Sequence, residues 1–93
     1  MIKRKYKIVE EKRPSDNFTR WTPMVANTIN NYGEILTDEN LIWEVLPYGV
    51  VYQIGYCKSK EESMTLIDKY EIYQQEYEGK FIVGETNYEP KQR

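Results

Sequence analysis

The segment WEVLPYGVVYQIGYCKSKEES, residues 43–63, decides the fold, because it contains the pattern of a strand, a turn, a second strand and the start of a helix. Residues 47–49 are typical of a tight turn, and the apolar residues on both sides favour antiparallel strands over 42–46 and 50–57.

Side chains alternate along a strand, so the turn determines which residues of the two strands share a face. One face carries Trp43, Val45, Val50, Tyr52, Ile54 and Tyr56. The other face carries Glu44, Val51, Gln53, Gly55 and Cys57. We predict that the first face, with its rings and β-branched side chains, is the core.

A helix is predicted directly after this pair of strands. Ser59 and Glu62 have the spacing of a capping box, in which the serine hydroxyl accepts a hydrogen bond from the Glu62 amide. Side chains then recur at helical spacing, and Gly79 is typical of the position that follows a helix. The recurring side chains are Ser63, Leu66, Ile67, Tyr70, Tyr73 and Tyr77. We expect this stripe to pack on the apolar face of the two strands.

The N-terminal third predicts a strand, a loop and a second helix. Residues 3–12 alternate as a strand does, with Tyr6 and Ile8 on one face and lysines on the other. The turn-forming residues of 13–17 predict a loop. Thr22 and Pro23 are typical of a helix N-cap and first helical position, which predicts a helix over 23–32.

Near the C-terminus, KFIVG at 80–84 predicts a last short strand. The predicted order is therefore β-α-β-β-α-β, the ferredoxin-like arrangement of the α+β class. Right-handed crossovers place two helices on one face of a four-stranded antiparallel sheet. The alternative is a three-stranded sheet with one helix, which holds if 23–32 is irregular.

Length and composition predict a single domain over residues 1–84 and a flexible C-terminal tail over 85–93. No segment has the roughly 18 apolar residues of a membrane span, and a signal peptide's apolar region is lacking. Cys57 is the only cysteine, which agrees with a reducing compartment. We expect a cytoplasmic protein that does not contact a membrane.

The residue types argue against catalysis. The 93 residues include no histidine, the commonest general base and metal ligand. The five glycines occur singly, so no phosphate-binding glycine loop is present. Cys57 has no histidine to activate it. We therefore expect no enzyme activity, no cofactor and no metal ion.

Function is expected from the outer face of the predicted helix that follows Ser59. At 100° per residue, Met64, Asp68, Glu71 and Ile72 lie roughly opposite the predicted core stripe. Apolar side chains flanked by carboxylates suit a docking surface for a basic protein or for a second copy of the chain. The expected function is protein–protein interaction, in a small regulatory protein of the bacterial or viral accessory type, with a homodimer as one form of it.

The alternative is a nucleic-acid-binding module that uses the basic first strand. Residues 1–20 hold seven of the 13 basic side chains but only three of the 15 acidic ones. In the predicted sheet, Lys5, Lys7 and Gln53 lie on the outer face and would contact the nucleic acid. Because the rest of the chain is acidic, we expect nucleic acid to be a less favoured partner than protein.

Overall fold

The structure is a computed structural model that describes residues 3–80 and 84–91, without the side chain of Lys80. Within these residues there are three strands, β1 (Arg4–Arg13), β2 (Phe18–Asn27) and β3 (Glu44–Val45). They are accompanied by a short 3₁₀ turn (Asp38–Asn40) and two helices, α1 (Gly49–Ile54) and α2 (Lys60–Lys80). Neither helix combines the length and the apolarity that crossing a membrane requires.

The long hairpin of β1 and β2 is the main part of the sheet. Its register runs from Arg4 opposite Asn27 to Arg13 opposite Phe18. At the turn, Asn17 adopts a left-handed φ of 58°. The Asp16 carboxylate accepts hydrogen bonds from the Arg13 guanidinium and the Phe18 amide, which closes the turn. The prediction of a first strand followed by a loop is confirmed.

The predicted helix over 23–32 is wrong, because residues 23–27 belong to strand β2 and residues 28–32 are not helical. Its neighbours explain how a strand tolerates Pro23. Trp21 donates to and accepts from the backbone of Cys57, and the Pro23 carbonyl accepts from the Leu46 amide at 2.9 Å. Peptide groups two residues apart in a strand point the same way. The N–H that proline lacks would therefore point away from β1, so no hydrogen bond between β1 and β2 is lost. The Pro23 ring is fully buried.

The predicted strand over 50–57 is also wrong, since most of it forms helix α1. This helix begins at Gly49 and is followed by Gly55, and both glycines have a positive φ, of 63° and 88°. The Gly55 amide donates to the Val51 carbonyl at 2.8 Å, which closes the last turn in the left-handed conformation. Of the predicted strand over 42–46, only Glu44 and Val45 remain as β3, and they pair with β2.

These changes overturn the predicted core at several positions. Tyr52 is 77 % exposed and Ile54 is 46 % exposed, whereas Val51 and Cys57, predicted to face outward, are buried. A helical turn at 49–54 separates neighbours by about 100° rather than 180°, so alternation no longer assigns the faces. The largest fully buried side chains among the described residues are Pro23, Leu46, Val51, Cys57 and Ser63.

Helix α2 forms as predicted at its start. The Glu62 amide donates to the Ser59 hydroxyl at 3.1 Å. Gly79 does not end the helix, which continues to Lys80. Of the strand predicted over 80–84, residues 81–83 lie outside the described part of the chain, Lys80 is helical, and Gly84 is not in a strand.

The described residues therefore form an α+β structure with a three-stranded antiparallel sheet in the order β1-β2-β3 and two helices. The predicted four-stranded ferredoxin-like sheet is not found among them. The three strands of the alternative are confirmed, although two helices accompany them instead of one. Helix α2 packs on the sheet face that carries Arg4 and Tyr6, and Lys5 and Lys7 lie on the opposite face.

Candidate functional site

The outer surface of α2, which we define as Met64, Asp68 and Ile72, faces away from the sheet. Met64 is 50 % exposed, Ile72 is 57 % exposed, and Asp68 is exposed between them. The two apolar side chains are eight residues apart, which is about 12 Å along the helix axis. Glu61 and Glu76, also exposed, add negative charge to the same side. The surface is therefore apolar at two points and acidic around them.

An ion-pair cluster on the inner side fixes the orientation of α2. The Arg4 guanidinium donates to both Glu71 oxygens, at 2.7 and 3.2 Å, and to Glu78 at 2.8 Å. The Tyr6 hydroxyl also donates to Glu71. The Arg4 side chain is only 10 % exposed. Glu71, which the sequence groups with the outer surface, thus lies half-buried against the sheet and apart from the other three residues.

Electrostatics keep this cluster in one charge state. The Arg4 hydrogen bonds hold the pKa of the Glu71 carboxyl below its usual value. The same hydrogen bonds raise the pKa of Arg4, so the pair is ionised at neutral pH. Burial, followed by the hydrogen bond to Glu71, raises the pKa of the Tyr6 hydroxyl, which remains a donor. The arrangement holds α2 in place and offers no free acid or base.

Tyrosine rings complete the contact between α2 and the rest of the molecule. The Tyr6 and Tyr70 rings meet edge to face, with centroids 6.4 Å apart. Tyr48 lies 6.0 Å from Tyr70 and stacks on Tyr73 with centroids 6.3 Å apart. Such pairs add stability beyond the apolar area that they bury. Together with the ion pairs, they fix which side of α2 faces solvent.

The residues of the nucleic-acid hypothesis do not form one surface. Lys5 pairs with Asp38 at 2.6 Å, and the Lys7 ammonium lies 4.3 Å from the Trp43 ring centroid. Gln53 is exposed on α1 instead of lying on the sheet beside the lysines. Most of the basic side chains in the hairpin are paired with carboxylates at 2.6–3.8 Å, namely Arg4, Lys5, Lys12, Arg13 and Arg20.

Other groups that could support chemistry are buried or dispersed. Cys57 is buried, and this burial raises the pKa of its thiol, so it is a protonated, shielded group. Within residues 3–80 and 84–91, no three acidic, cysteine or histidine side chains come together as a metal site. An open cleft of about 330 Å³ lies beside Arg4, Glu44 and Tyr70. The guanidinium at its edge is already committed to Glu71 and Glu78.

The roles of Arg4 and Tyr6 were not predicted from the sequence. They lie 67 and 65 positions before Glu71, so no spacing along the chain relates them to it. A basic residue at the start of β1 and an acidic residue on α2 are both ordinary in a charged surface. Only the docking of the helix on the sheet brings them together.

No family model matches the chain, and no curated protein or solved structure matches it significantly. Function is therefore inferred from the residues and the geometry described above.

Proposed function

We propose that this protein is a non-catalytic binding domain that docks another protein on the outer surface of α2. The observation that carries the proposal is the half-exposed pair Met64 and Ile72 on a helix whose opposite side is fixed to the sheet. The partner is a protein with an apolar contact region and a basic rim, complementary to Asp68 and its acidic neighbours.

The geometry suits docking because the surface is already organised before a partner arrives. The Arg4–Glu71 pair and the rings of Tyr6 and Tyr70 hold α2 against the sheet, so binding does not have to order the helix. A helix that presents apolar anchors about two turns apart is a common recognition element. Met64 in particular has a flexible side chain that adapts to the shape of a partner.

The non-catalytic part of the proposal rests on the state of the reactive groups. Cys57, the only thiol, is buried with a raised pKa. The most perturbed carboxyl, Glu71, is engaged by Arg4 and Tyr6 rather than directed at a cavity. Ion-pair networks perturb pKa values without catalysis, and this cluster is accounted for by its role in docking α2.

The test compares Ile72→Glu with the matched variant Ile35→Glu. Ile35 is 73 % exposed and lies outside the outer surface of α2. Partners are captured from an extract of the native cell, purified, and titrated against each variant. We expect Ile72→Glu to weaken binding about 30-fold or more, because an interface anchor contributes about 2 kcal/mol. Ile35→Glu should bind as the unchanged protein does.

Stability measurements separate binding from folding. Both substitutions are at exposed positions, so the free energy of unfolding should change by no more than about 0.5 kcal/mol. If Ile72→Glu binds as tightly as the unchanged protein, the outer surface of α2 is not the docking site. If Ile72→Glu unfolds the chain, Ile72 is part of a core and the proposal is equally wrong.

A further inference from the structure

Strand β1 lies at an edge of the sheet and leaves one side of its backbone unpaired. The backbone bonds of Trp21 go to Cys57, on the side of β2 away from β1. Trp21 and Glu10, which lie opposite each other in the hairpin, therefore do not exchange backbone hydrogen bonds. The same holds for every second pair along the hairpin. It follows that Tyr6, Ile8 and Glu10 direct their amides and carbonyls to the free edge. None of these backbone groups has a partner among the described residues.

We propose that this edge pairs antiparallel with β1 of a second copy of the chain, which joins two three-stranded sheets into one of six strands. The proposal is independent of the outer surface of α2, which lies on another side of the molecule. The edge of β1 is ten residues long, whereas β3 has only two residues. An open strand edge of this length is a template for pairing with another chain.

The charges of β1 select a second copy as the partner. Basic residues Lys3, Arg4 and Lys5 precede the acidic residues Glu10 and Glu11. A two-fold axis at Lys7 places Lys3 opposite Glu11, and this pair occurs twice. It also places Glu10 opposite Arg4, but the Arg4 guanidinium is already held by Glu71 and Glu78 of its own copy and adds little to the contact. Opposite charges across a strand pair stabilise it. One like-charged pair, Lys7 with its own copy, opposes association.

The same charges disfavour other registers. Moving the two-fold axis to Ile8 places Lys3 opposite Arg13 and Lys5 opposite Glu11, each twice, so repulsion offsets attraction in that register. A charged edge normally discourages non-specific pairing. In an antiparallel pair of β1 strands, the basic residues at the start of one copy face Glu10 and Glu11 of the other, which favours the register centred on Lys7 over its neighbour.

Apolar contacts favour the same register. Tyr6 and Ile8 are both half-buried on the face covered by α2. With the axis at Lys7, Tyr6 of one copy lies opposite Ile8 of the other, twice. Four residues of each edge then exchange about eight backbone hydrogen bonds, two for each hydrogen-bonded pair. The new contact therefore combines backbone, charge and apolar complementarity.

The first test is Glu10→Pro against Glu10→Thr, with mass measured by light scattering and analytical ultracentrifugation. Proline at position 10 removes an amide that points to the free edge and leaves the β1–β2 ladder intact. We expect the unchanged protein and Glu10→Thr to show a concentration-dependent mass of twice 11.2 kDa. Glu10→Pro should raise the dissociation constant at least tenfold. A protein that is monomeric at its highest soluble concentration overturns the proposal.

The second test examines register and does not depend on proline. Glu11→Lys should weaken the dimer, because it places a lysine opposite Lys3 of the second copy. Adding Lys3→Glu should restore the dimer, since the pair is then opposite in charge again. A dimer insensitive to Glu10→Pro, or a double variant no better than Glu11→Lys alone, means that the copies do not meet through β1 in this register. Binding that is lost only in Ile72→Glu would likewise assign association to α2.

Discussion

At the residue scale, the contact between Arg4 and Glu71 is the most shielded ion pair of the described residues. It is bidentate and largely shielded, with side-chain exposures of 10 % and 29 %. Charge-assisted bidentate pairs are stronger than ordinary hydrogen bonds, and shielding reduces screening by salt. Apart from Arg4 with Glu78, the other ion pairs of the hairpin, such as Lys5 with Asp38, are about half exposed or more and contribute little. Among the ion pairs, the Glu71 carboxylate therefore contributes most to the docking of α2.

We predict that Glu71→Gln lowers the free energy of unfolding at pH 7 by roughly 1 to 3 kcal/mol, because Arg4 loses its charged partner while it remains shielded. The folded-state pKa of Glu71 is lowered from its usual 4.5. A lowered pKa means that the contribution is complete above the unfolded-state pKa and is lost as the pH falls through the folded-state pKa. The unchanged protein should thus lose stability below about pH 4.5 more steeply than Glu71→Gln.

Urea unfolding between pH 7 and pH 3 measures this difference. Glu76→Gln is the matched control, because Glu76 is on the same helix, is exposed, and has no ion pair within the described residues. Its stability curve should run parallel to that of the unchanged protein. A constant gap between Glu71→Gln and the unchanged protein over the whole pH range would mean that the carboxylate charge is not what holds α2.

At the element scale, the short helix α1 contributes a buried residue to the core in a segment that was predicted to be a strand. Val51 is 2 % exposed and Leu46 is fully buried, and both precede the buried Cys57. Gly49 is close to the Leu66 side chain, at a backbone φ of 63° that other residues rarely adopt. The chain therefore turns at Gly49, places one valine in the core and turns again at Gly55.

The substitutions Val51→Ala and Tyr52→Ala test this placement. Val51→Ala removes two buried carbons and leaves a cavity, so we predict a loss of about 2 kcal/mol in the free energy of unfolding. Tyr52→Ala changes a side chain that is 77 % exposed and should stay within about 0.5 kcal/mol. Chemical unfolding of both variants under the same conditions gives the comparison. The opposite ranking would support the two-stranded arrangement with Tyr52 in the core.

The features of the strands and helices that could be predicted depend on residues only a few positions apart in the sequence. The alternation of β1, the turn residues of 13–17 and the hydrogen bond of Glu62 to Ser59 all act over a few residues, and all are present in the structure. Strand β2 could not be predicted from the Thr22–Pro23 pair, because the peptide orientation that accommodates Pro23 depends on its partners. The exposed members of the candidate surface, Met64 and Ile72, follow from helical phase.

At the scale of the whole molecule, the basic N-terminal third is largely neutralised from within. Carboxylates contributed by the hairpin, the 3₁₀ turn and α2 pair with its arginines and lysines. The formal net charge of the chain is −2. The basic residues are clustered in the sequence, but they do not form an equally basic surface in the folded protein. The fold brings acidic residues next to the basic strand.

We predict from this that the protein does not bind duplex DNA or RNA tightly at physiological salt. Phosphate would have to displace Asp38 from Lys5 and would meet the net negative charge of the chain. Fluorescence anisotropy with a labelled duplex should give a dissociation constant weaker than about 10 µM. The double variant Lys5→Glu and Lys7→Glu should not differ from the unchanged protein. Sub-micromolar binding that weakens with salt and disappears in the double variant would contradict this prediction, and would place the function on the outer sheet face instead of on α2.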